Sequence, residues 1–176
     1  SGDIIGVAGQ TTTVTLEAGS GSVEIDGIIV NGSAGIGNVT IDGSGGVTID
    51  GNITTNGGNI DINEATTFAG STALTTGGGS VDFASTINPA SAGQDLDISS
   101  GSGAVSIGGT IGGTIGFGSL DINNASGTGK ITLNDIGDTG TVGVTGTSRI
   151  GNDTTLTLTL AGTTYKTGSS ANESTT

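Results

Sequence analysis

Residues Gly57-Gly-Asn-Ile-Asp-Ile-Asn63 and Gly78-Gly-Ser-Val-Asp-Phe83 decide the fold of this chain, because the second stretch repeats the first in nearly the same order of residues. Each stretch has a glycine pair followed by an apolar–Asp–apolar triplet. Apolar–x–apolar triplets recur roughly once every two dozen residues. They start at residues 14, 39, 60, 81, 96, 120 and 142. A repeat of this length, made of short strands and glycine turns, predicts a β-solenoid of six or seven coils.

A second triplet follows the first within most repeats, for example Val47-Thr-Ile49 after Val39-Thr-Ile41. A third, weaker apolar patch such as Ile53 closes several repeats. Val, Ile and Thr suit strands, and strict alternation of apolar and polar residues indicates a strand with one buried face. Glycine-rich segments between the triplets supply the corners. We therefore predict an all-β fold with little or no helix, a right-handed parallel β-helix with about three short strands per coil.

A β-sandwich is the alternative fold, because it too is built from short alternating strands with frequent turns. The near-identical sequences of the triplets favour the solenoid, since stacked coils place equivalent residues in equivalent environments.

The chain divides by composition into four segments. Residues 1–10 are predicted to be an N-terminal edge or cap, 11–153 the solenoid repeats, 154–167 a long terminal strand and 168–176 a flexible tail. The spacing of 15 residues between Val81 and Leu96 is short and contains Pro89, so we expect a clipped coil or a bulge there. The sequence contains no methionine, and we therefore expect a processed product or a segment of a longer protein.

Composition excludes several classes of partner. Sixteen acidic residues against three basic ones give a formal net charge of −13. Binding to a nucleic-acid backbone requires clustered Lys and Arg, and anionic lipid attracts basic segments, so neither partner is expected. No apolar stretch approaches the roughly 20 residues that a membrane-spanning helix needs. We predict no nucleic-acid binding and no membrane insertion.

Catalysis is not expected either. The chain has no histidine and no cysteine, which removes the commonest general base and the thiol nucleophile. Carboxylates remain, and β-helices can carry polysaccharide-degrading sites, but aromatic residues for sugar stacking make up only 2% of the chain. We predict a non-enzymatic protein, with a carbohydrate-binding or carbohydrate-active β-helix domain as the alternative.

One pattern of acids points to a metal. The middle position of four consecutive triplets is aspartate: Asp61, Asp82, Asp97 and Asp121. If the coils stack in register, four outward carboxylates line up about 4.8 Å apart and repel one another. Calcium prefers carboxylate oxygens and would relieve that repulsion. The sequence therefore predicts either a calcium ladder or a solvated acidic stripe, and no other cofactor.

The repeats resemble those of filamentous haemagglutinin-type adhesins, which are large exported bacterial surface proteins. The similarity spans about residues 11–150 and includes, besides the two stretches above, Gly46-Val-Thr-Ile-Asp-Gly51 and Gly118-Ser-Leu-Asp-Ile-Asn-Asn124. The resemblance implies an extracellular β-helix at the cell surface, with a structural or adhesive role in an adhesin or self-assembling fibre. It carries over no site residues, and the N-terminal secretion domain of that family is not recognisable here.

The two ends predict the partners. Ile4, Ile5 and Val7 make the start of the chain apolar, and the 154–160 segment lacks the charges that usually protect a strand edge. Exposed strand edges pair with other chains. We therefore expect adjoining repeats or identical subunits to pair end to end through these strand edges. The resemblance to adhesins implies a host or surface glycan receptor as a further partner.

Overall fold

Three parallel sheets wind around a common apolar column in the computed structural model, which describes residues 2–7, 10–30, 35–154 and 157–168. Helix is absent from these ranges. Numbered along the chain, the strands are β1 (Ile4–Ile5), β2 (Thr12–Glu17), β3 (Val23–Ile25), β4 (Ile29–Val30), β5 (Ile36–Asp42), β6 (Val47–Ile49), β7 (Ile53–Thr54), β8 (Ile60–Ile62), β9 (Thr66–Phe68), β10 (Thr72–Thr75), β11 (Val81–Phe83), β12 (Ile87–Pro89), β13 (Leu96–Ser99), β14 (Val105–Ile107), β15 (Leu120–Ile122), β16 (Ile131–Leu133), β17 (Ser148–Ile150) and β18 (Leu158–Leu160).

Each coil contributes one strand to sheet A and one to sheet B, and the first four coils also contribute one to sheet C. Sheet A has the order β1-β4-β7-β10-β13-β15-β17, sheet B the order β2-β5-β8-β11-β14-β16-β18, and sheet C the order β3-β6-β9-β12. Single parallel bridges extend sheet C through Ile111 and Ile136 to Tyr165. The predicted fold class, an all-β parallel β-helix with about three strands per coil, is confirmed.

The coils are more regular in length than the sequence suggested. Successive strands of sheet B are offset by 25, 21, 21, 24, 26 and 27 residues. The triplets at Leu96 and Leu120 belong to sheet A, and Val105 and Ile131 continue sheet B instead. The predicted clipped coil after Val81 is therefore wrong, because the short spacing joins two triplets on different faces.

Inward side chains fill the column with aliphatic groups, as the alternation predicts. Strands of sheet B after β2 and before β18 bury both apolar positions of their triplet. The three phenylalanines, Phe68, Phe83 and Phe117, are fully buried in the middle of the column. The ring of Phe68 lies 6.0 Å from that of Phe83 and 5.9 Å from that of Phe117, both edge to face. Such pairs add to the stabilisation that burial provides.

A row of stacked glycines lies at one corner, two residues before four strands of sheet B, β8, β11, β14 and β16. A Cβ placed on any of them would lie 1.7–2.3 Å from the backbone of the preceding coil. Only glycine permits that approach. The glycines of this row are Gly58, Gly79, Gly103 and Gly129, which stack in this order above Gly37.

Pro89 explains why sheet C narrows. The inward residues of a strand donate their N–H to the next coil, as Ile87 does to the carbonyl of Thr110 at 3.0 Å. Pro89 has no N–H to donate. Pairing beyond β12 is consequently reduced to the single bridge between Ile87 and Ile111.

The ends differ from the sequence-based segments. Strand β1 pairs with β4, so Ile4 and Ile5 belong to the first coil. The long strand predicted over 154–167 is only β18, which pairs with β16, followed by bridges at Tyr165 and Thr167. A bend at Gly162 and Thr163 separates these pieces. Residues 155 and 156 and the predicted tail beyond Gly168 lie outside the described residues.

Candidate functional site

Two of the four predicted aspartates meet on the outer face of sheet B. Asp61 and Asp82 are register partners in β8 and β11. In the same outward row, Thr40 of β5 precedes Asp61 and Ser106 of β14 follows Asp82, so this row contains two of the four predicted carboxylates.

The other two aspartates meet on sheet A. Asp97 and Asp121 are register partners in β13 and β15, and Arg149 of β17 is the next residue in that row. The Arg149 guanidinium lies 3.3 Å from Oδ2 of Asp121, with 52% of the arginine side chain exposed. The predicted single ladder is therefore wrong: the winding separates it into two pairs on two faces, and a cation of the protein itself contacts one pair.

Calcium binding remains a prediction after this correction. The parts of the chain that the structure describes contain no group of three or more acidic, histidine or cysteine residues placed to hold a metal ion. Two carboxylates supply fewer ligands than the six to eight oxygens that calcium takes. An unchanged melting temperature between excess chelator and millimolar calcium is the result that would remove calcium from consideration.

In each pair, packing along the sheet raises the pKa of one aspartate. The pKa of Asp61 is raised, first by partial burial and then by the neighbouring Asp82 charge. The pKa of Asp97 is raised in the same way, with Asp121 as the neighbour. In both cases, loss of water and a like charge disfavour the ionised form.

Asp61→Asn is expected to stabilise the protein at pH 7, by less than about 1 kcal/mol because the group is partly exposed. The folded-state pKa of Asp61 lies above its unfolded value, so this group's favourable contribution is present below about pH 3.8 and is lost as pH rises through the folded pKa. The difference in free energy of unfolding between Asp61→Asn and the wild type should therefore shrink as the pH falls from 7 toward about 4. Urea unfolding at several pH values measures it.

Asp138→Asn is the control, because the pKa of Asp138 is shifted in the opposite direction from that of Asp61. Oδ1 of Asp138 accepts hydrogen bonds from the N–H groups of Gly140 and Thr141, both at 2.7 Å, and these bonds lower its pKa. Its contribution is present above the unfolded pKa and is lost as pH falls through the folded one. Asp138→Asn should therefore not stabilise at pH 7. An equal gain from both variants would show that net charge, and not the local environment of Asp61, is responsible.

The Asp97–Asp121 pair borders a shallow cleft. It has a volume of about 100 Å³ and is also lined by Asn123, Asn124 and Ala125. Sites for small organic ligands usually occupy roughly 300–1,000 Å³. The cleft can therefore admit water or an ion but is too small to enclose a sugar ring.

A buried row of polar side chains was missed by sequence reasoning. Thr55, Thr76, Ser100 and Asn123 are all at most 2% exposed at the corner between sheets A and B. The Ser100 hydroxyl donates to the carbonyl of Gly103 at 2.7 Å, and Asn123 donates to the Ser100 hydroxyl at 2.9 Å. Thr55 and Thr76 make the equivalent bonds to Gly58 and Gly79.

This row has a structural role, because each hydroxyl satisfies a carbonyl of the tight corner that would otherwise be buried without a partner. Asn123 replaces the hydroxyl residue where the corner lengthens, and its φ of 50° is one that asparagine tolerates. The sequence did contain a signal, since a Ser or Thr stands three residues before each of Gly58, Gly79 and Gly103.

Comparison with family models, with curated proteins and with solved structures finds no match to this chain. Among the described residues, helices that could span a bilayer are not found. The geometry of the coils is therefore the basis for functional inference.

Proposed function

We propose that this chain is a structural segment of an extracellular bacterial surface adhesin or surface fibre, without catalytic activity. The observation that supports the proposal is the continuous parallel strand pairing of sheets A and B from β1 and β2 to β17 and β18. Coil follows coil with short connections, and no inserted loop of the described chain builds a deep site. A repeat architecture of this kind can act as a spacer and can present its lateral surfaces for binding.

The lateral surface supports this role. Most residues of the outward rows have short Thr, Ser, Asn or Asp side chains. The net charge of the chain is −13. Strong negative charge keeps a β-rich protein soluble and prevents association side by side. Six steps of about 4.8 Å between the seven strands of sheet B give a rise of about 29 Å along the axis.

Surface labelling tests the proposal. Antibodies raised against the chain should label intact source cells, and brief protease treatment of those cells should remove the signal. Labelling that requires permeabilised cells would contradict the extracellular assignment. A cytosolic protein labelled in the same cells controls for lysis.

A carbohydrate-active domain is the second candidate, and the cleft at Asp97 and Asp121 is the observation in its favour. We expect incubation with a panel of polysaccharides to give no turnover. Turnover that is lost in Asp121→Asn or in Asp61→Asn would favour this candidate over the structural role.

A further inference from the structure

Several stretches of the sequence have the form Asn-x-Ser/Thr, the motif whose asparagine can carry a sugar. Their asparagines are Asn31, Asn38, Asn52, Asn124, Asn152 and Asn172. Asn31 and Asn172 lie outside the described residues. The other four motifs are alike in sequence but differ in secondary structure, exposure and hydrogen bonding, so the fold distinguishes among them.

An acceptor motif makes two demands on its surroundings. The asparagine carboxamide must be accessible, and the hydroxyl two residues later must turn back toward it, which requires a bend in the backbone. In a β-strand, residues i and i+2 point to the same side but lie about 6.6 Å apart, so the hydroxyl does not reach the carboxamide. A motif within a strand that is paired on both sides is therefore a poor acceptor once the chain has folded.

Two of the four motifs run along such strands. The Asn38 motif lies wholly in β5, which pairs with β2 and β8. The Asn52 motif ends at Thr54 of β7, which pairs with β4 and β10. Oδ1 of Asn38 accepts the N–H of Asn59 at 2.9 Å, and Oδ1 of Asn52 accepts that of Ala73 at 2.8 Å. Both carboxamides therefore join neighbouring coils, and both motifs enter extended, paired backbone.

The Asn152 motif is bent, but its amide nitrogen is already used by the fold. Oδ1 of Asn152 accepts the N–H of Thr154 at 2.8 Å, which closes a local turn. Nδ2 donates to the carbonyls of Asn123 at 2.5 Å and Gly127 at 3.2 Å in the preceding coil. A sugar on Nδ2 would replace one of its two hydrogens and displace at least one of these bonds. Asn152 therefore holds two coils together and is a poor acceptor.

Asn124 meets both demands. It follows strand β15, and Asn124, Ala125 and Ser126 are all exposed. The backbone bends at Ala125 and Ser126, in the corner that lengthens after Asn123. The Asn124 carboxamide makes no hydrogen bond among the residues that the structure describes. Of the four described motifs, this one leaves both its amide nitrogen and its hydroxyl accessible to an enzyme.

We propose that Asn124 is the residue of the folded chain that carries an Asn-linked sugar. The reaction joins Nδ2 of Asn124 to the anomeric carbon of a sugar that is activated as a diphosphate ester. The bond between that carbon and the phosphate oxygen breaks, the diphosphate leaves, and the amide nitrogen loses one proton. The inference rests on the proposed surface role, because Asn-linked sugars are typical of surface loops in exported proteins.

Mass spectrometry of the chain isolated from its source cells tests the proposal. After unfolding, cleavage before each aspartate yields the fragment 121–134, in which Asn124 is the one acceptor asparagine of the motif. This fragment should carry the added mass of one or more sugar residues. The fragments 50–60 and 138–152, which contain Asn52 and Asn152, should have their unmodified masses. Sugar on Asn52 or Asn152 would overturn the assignment, because the fold would then not select the acceptor.

Variants at the motif identify the modified atom. Ser126→Ala keeps Asn124 but removes the hydroxyl, so the added mass should be lost from the fragment 121–134. Ser126→Thr keeps a hydroxyl and should retain the added mass, which makes it the matched control. Ser126 is exposed, so both variants should keep the circular dichroism spectrum of the wild type.

Asn124→Gln separates a sugar on the amide from a sugar on a hydroxyl. This variant keeps Ser126 and should also lose the added mass, because glutamine is not an acceptor in this motif. Sugar that is retained in Asn124→Gln would be attached to a hydroxyl of the same fragment and would overturn the proposal.

The outcome for Asn124 is separate from the outcome of surface labelling. An unmodified fragment 121–134 would overturn this inference wherever in the cell the chain is found. If that unmodified chain is labelled on intact cells, the proposed surface role stands and the sugar site alone is contradicted. A chain that carries sugar on Asn124 but is labelled only in permeabilised cells would support the site and contradict the surface role.

Discussion

Gly79→Ala is expected to destabilise the fold by about 3 kcal/mol or more, because the added methyl group would overlap the backbone of the preceding coil. The added Cβ would lie 2.1 Å from the carbonyl oxygen of Gly58 in the preceding coil. That oxygen belongs to the backbone, so it cannot move aside without disturbing the stack. Urea unfolding followed by far-ultraviolet circular dichroism measures the loss.

Gly140→Ala is the matched control. Its added Cβ would have Oδ1 of Asp138, at 3.7 Å, as its nearest neighbour, which is an ordinary contact. We expect a change within about 0.5 kcal/mol. Similar losses from the two variants would mean that the glycine row is not limited by the distance between coils. Since Gly79 has no positive φ, the comparison separates crowding from backbone conformation.

Phe68→Ala is the second change with a large expected effect, a loss of about 3–5 kcal/mol. The ring is fully buried and contacts the rings of both Phe83 and Phe117, so truncation leaves a cavity at the centre of the column. The surrounding strands are held in register by both neighbouring coils and can collapse only partly into that space. Equilibrium unfolding in urea gives the difference in free energy.

Val142→Ala serves as the comparison for that loss. Its side chain is 36% exposed near one end of the solenoid, so truncation removes fewer buried contacts. A loss below about 1 kcal/mol is expected. If Phe68→Ala also lost less than that, the aliphatic column would be able to close around a missing ring, and the aromatic cluster would not be a main source of stability.

The fold class could be read from local features of the sequence. A glycine pair followed by a triplet such as Ile60-Asp-Ile62 predicts a corner and then a short strand. The alternation within the triplet predicts which face of that strand is buried. Because the repeat recurs at about the length of one coil, stacking follows from the same pattern. Net charge and the absence of histidine and cysteine led to expectations about partners and catalysis, and these stay predictions.

The sequence did not show in the same way which of the three sheets each triplet joins. Leu96-Asp-Ile98 has the same form as Val81-Asp-Phe83, yet the first lies in sheet A and the second in sheet B. An apolar–Asp–apolar triplet fits any flat face of the coil equally well. Its position depends on the number of residues in the intervening corners and on which strand of the neighbouring coil it pairs with.

What the sequence by itself determined is therefore the parallel β-helix, with its alternating buried residues and its glycine corners. Only the tertiary structure decided that the four aspartates form two pairs and that Arg149 joins one of them. The physical reason is that local pattern sets which side of a strand is buried, whereas register between coils is a long-range property. It is fixed only when hydrogen bonds and packing join residues more than twenty positions apart.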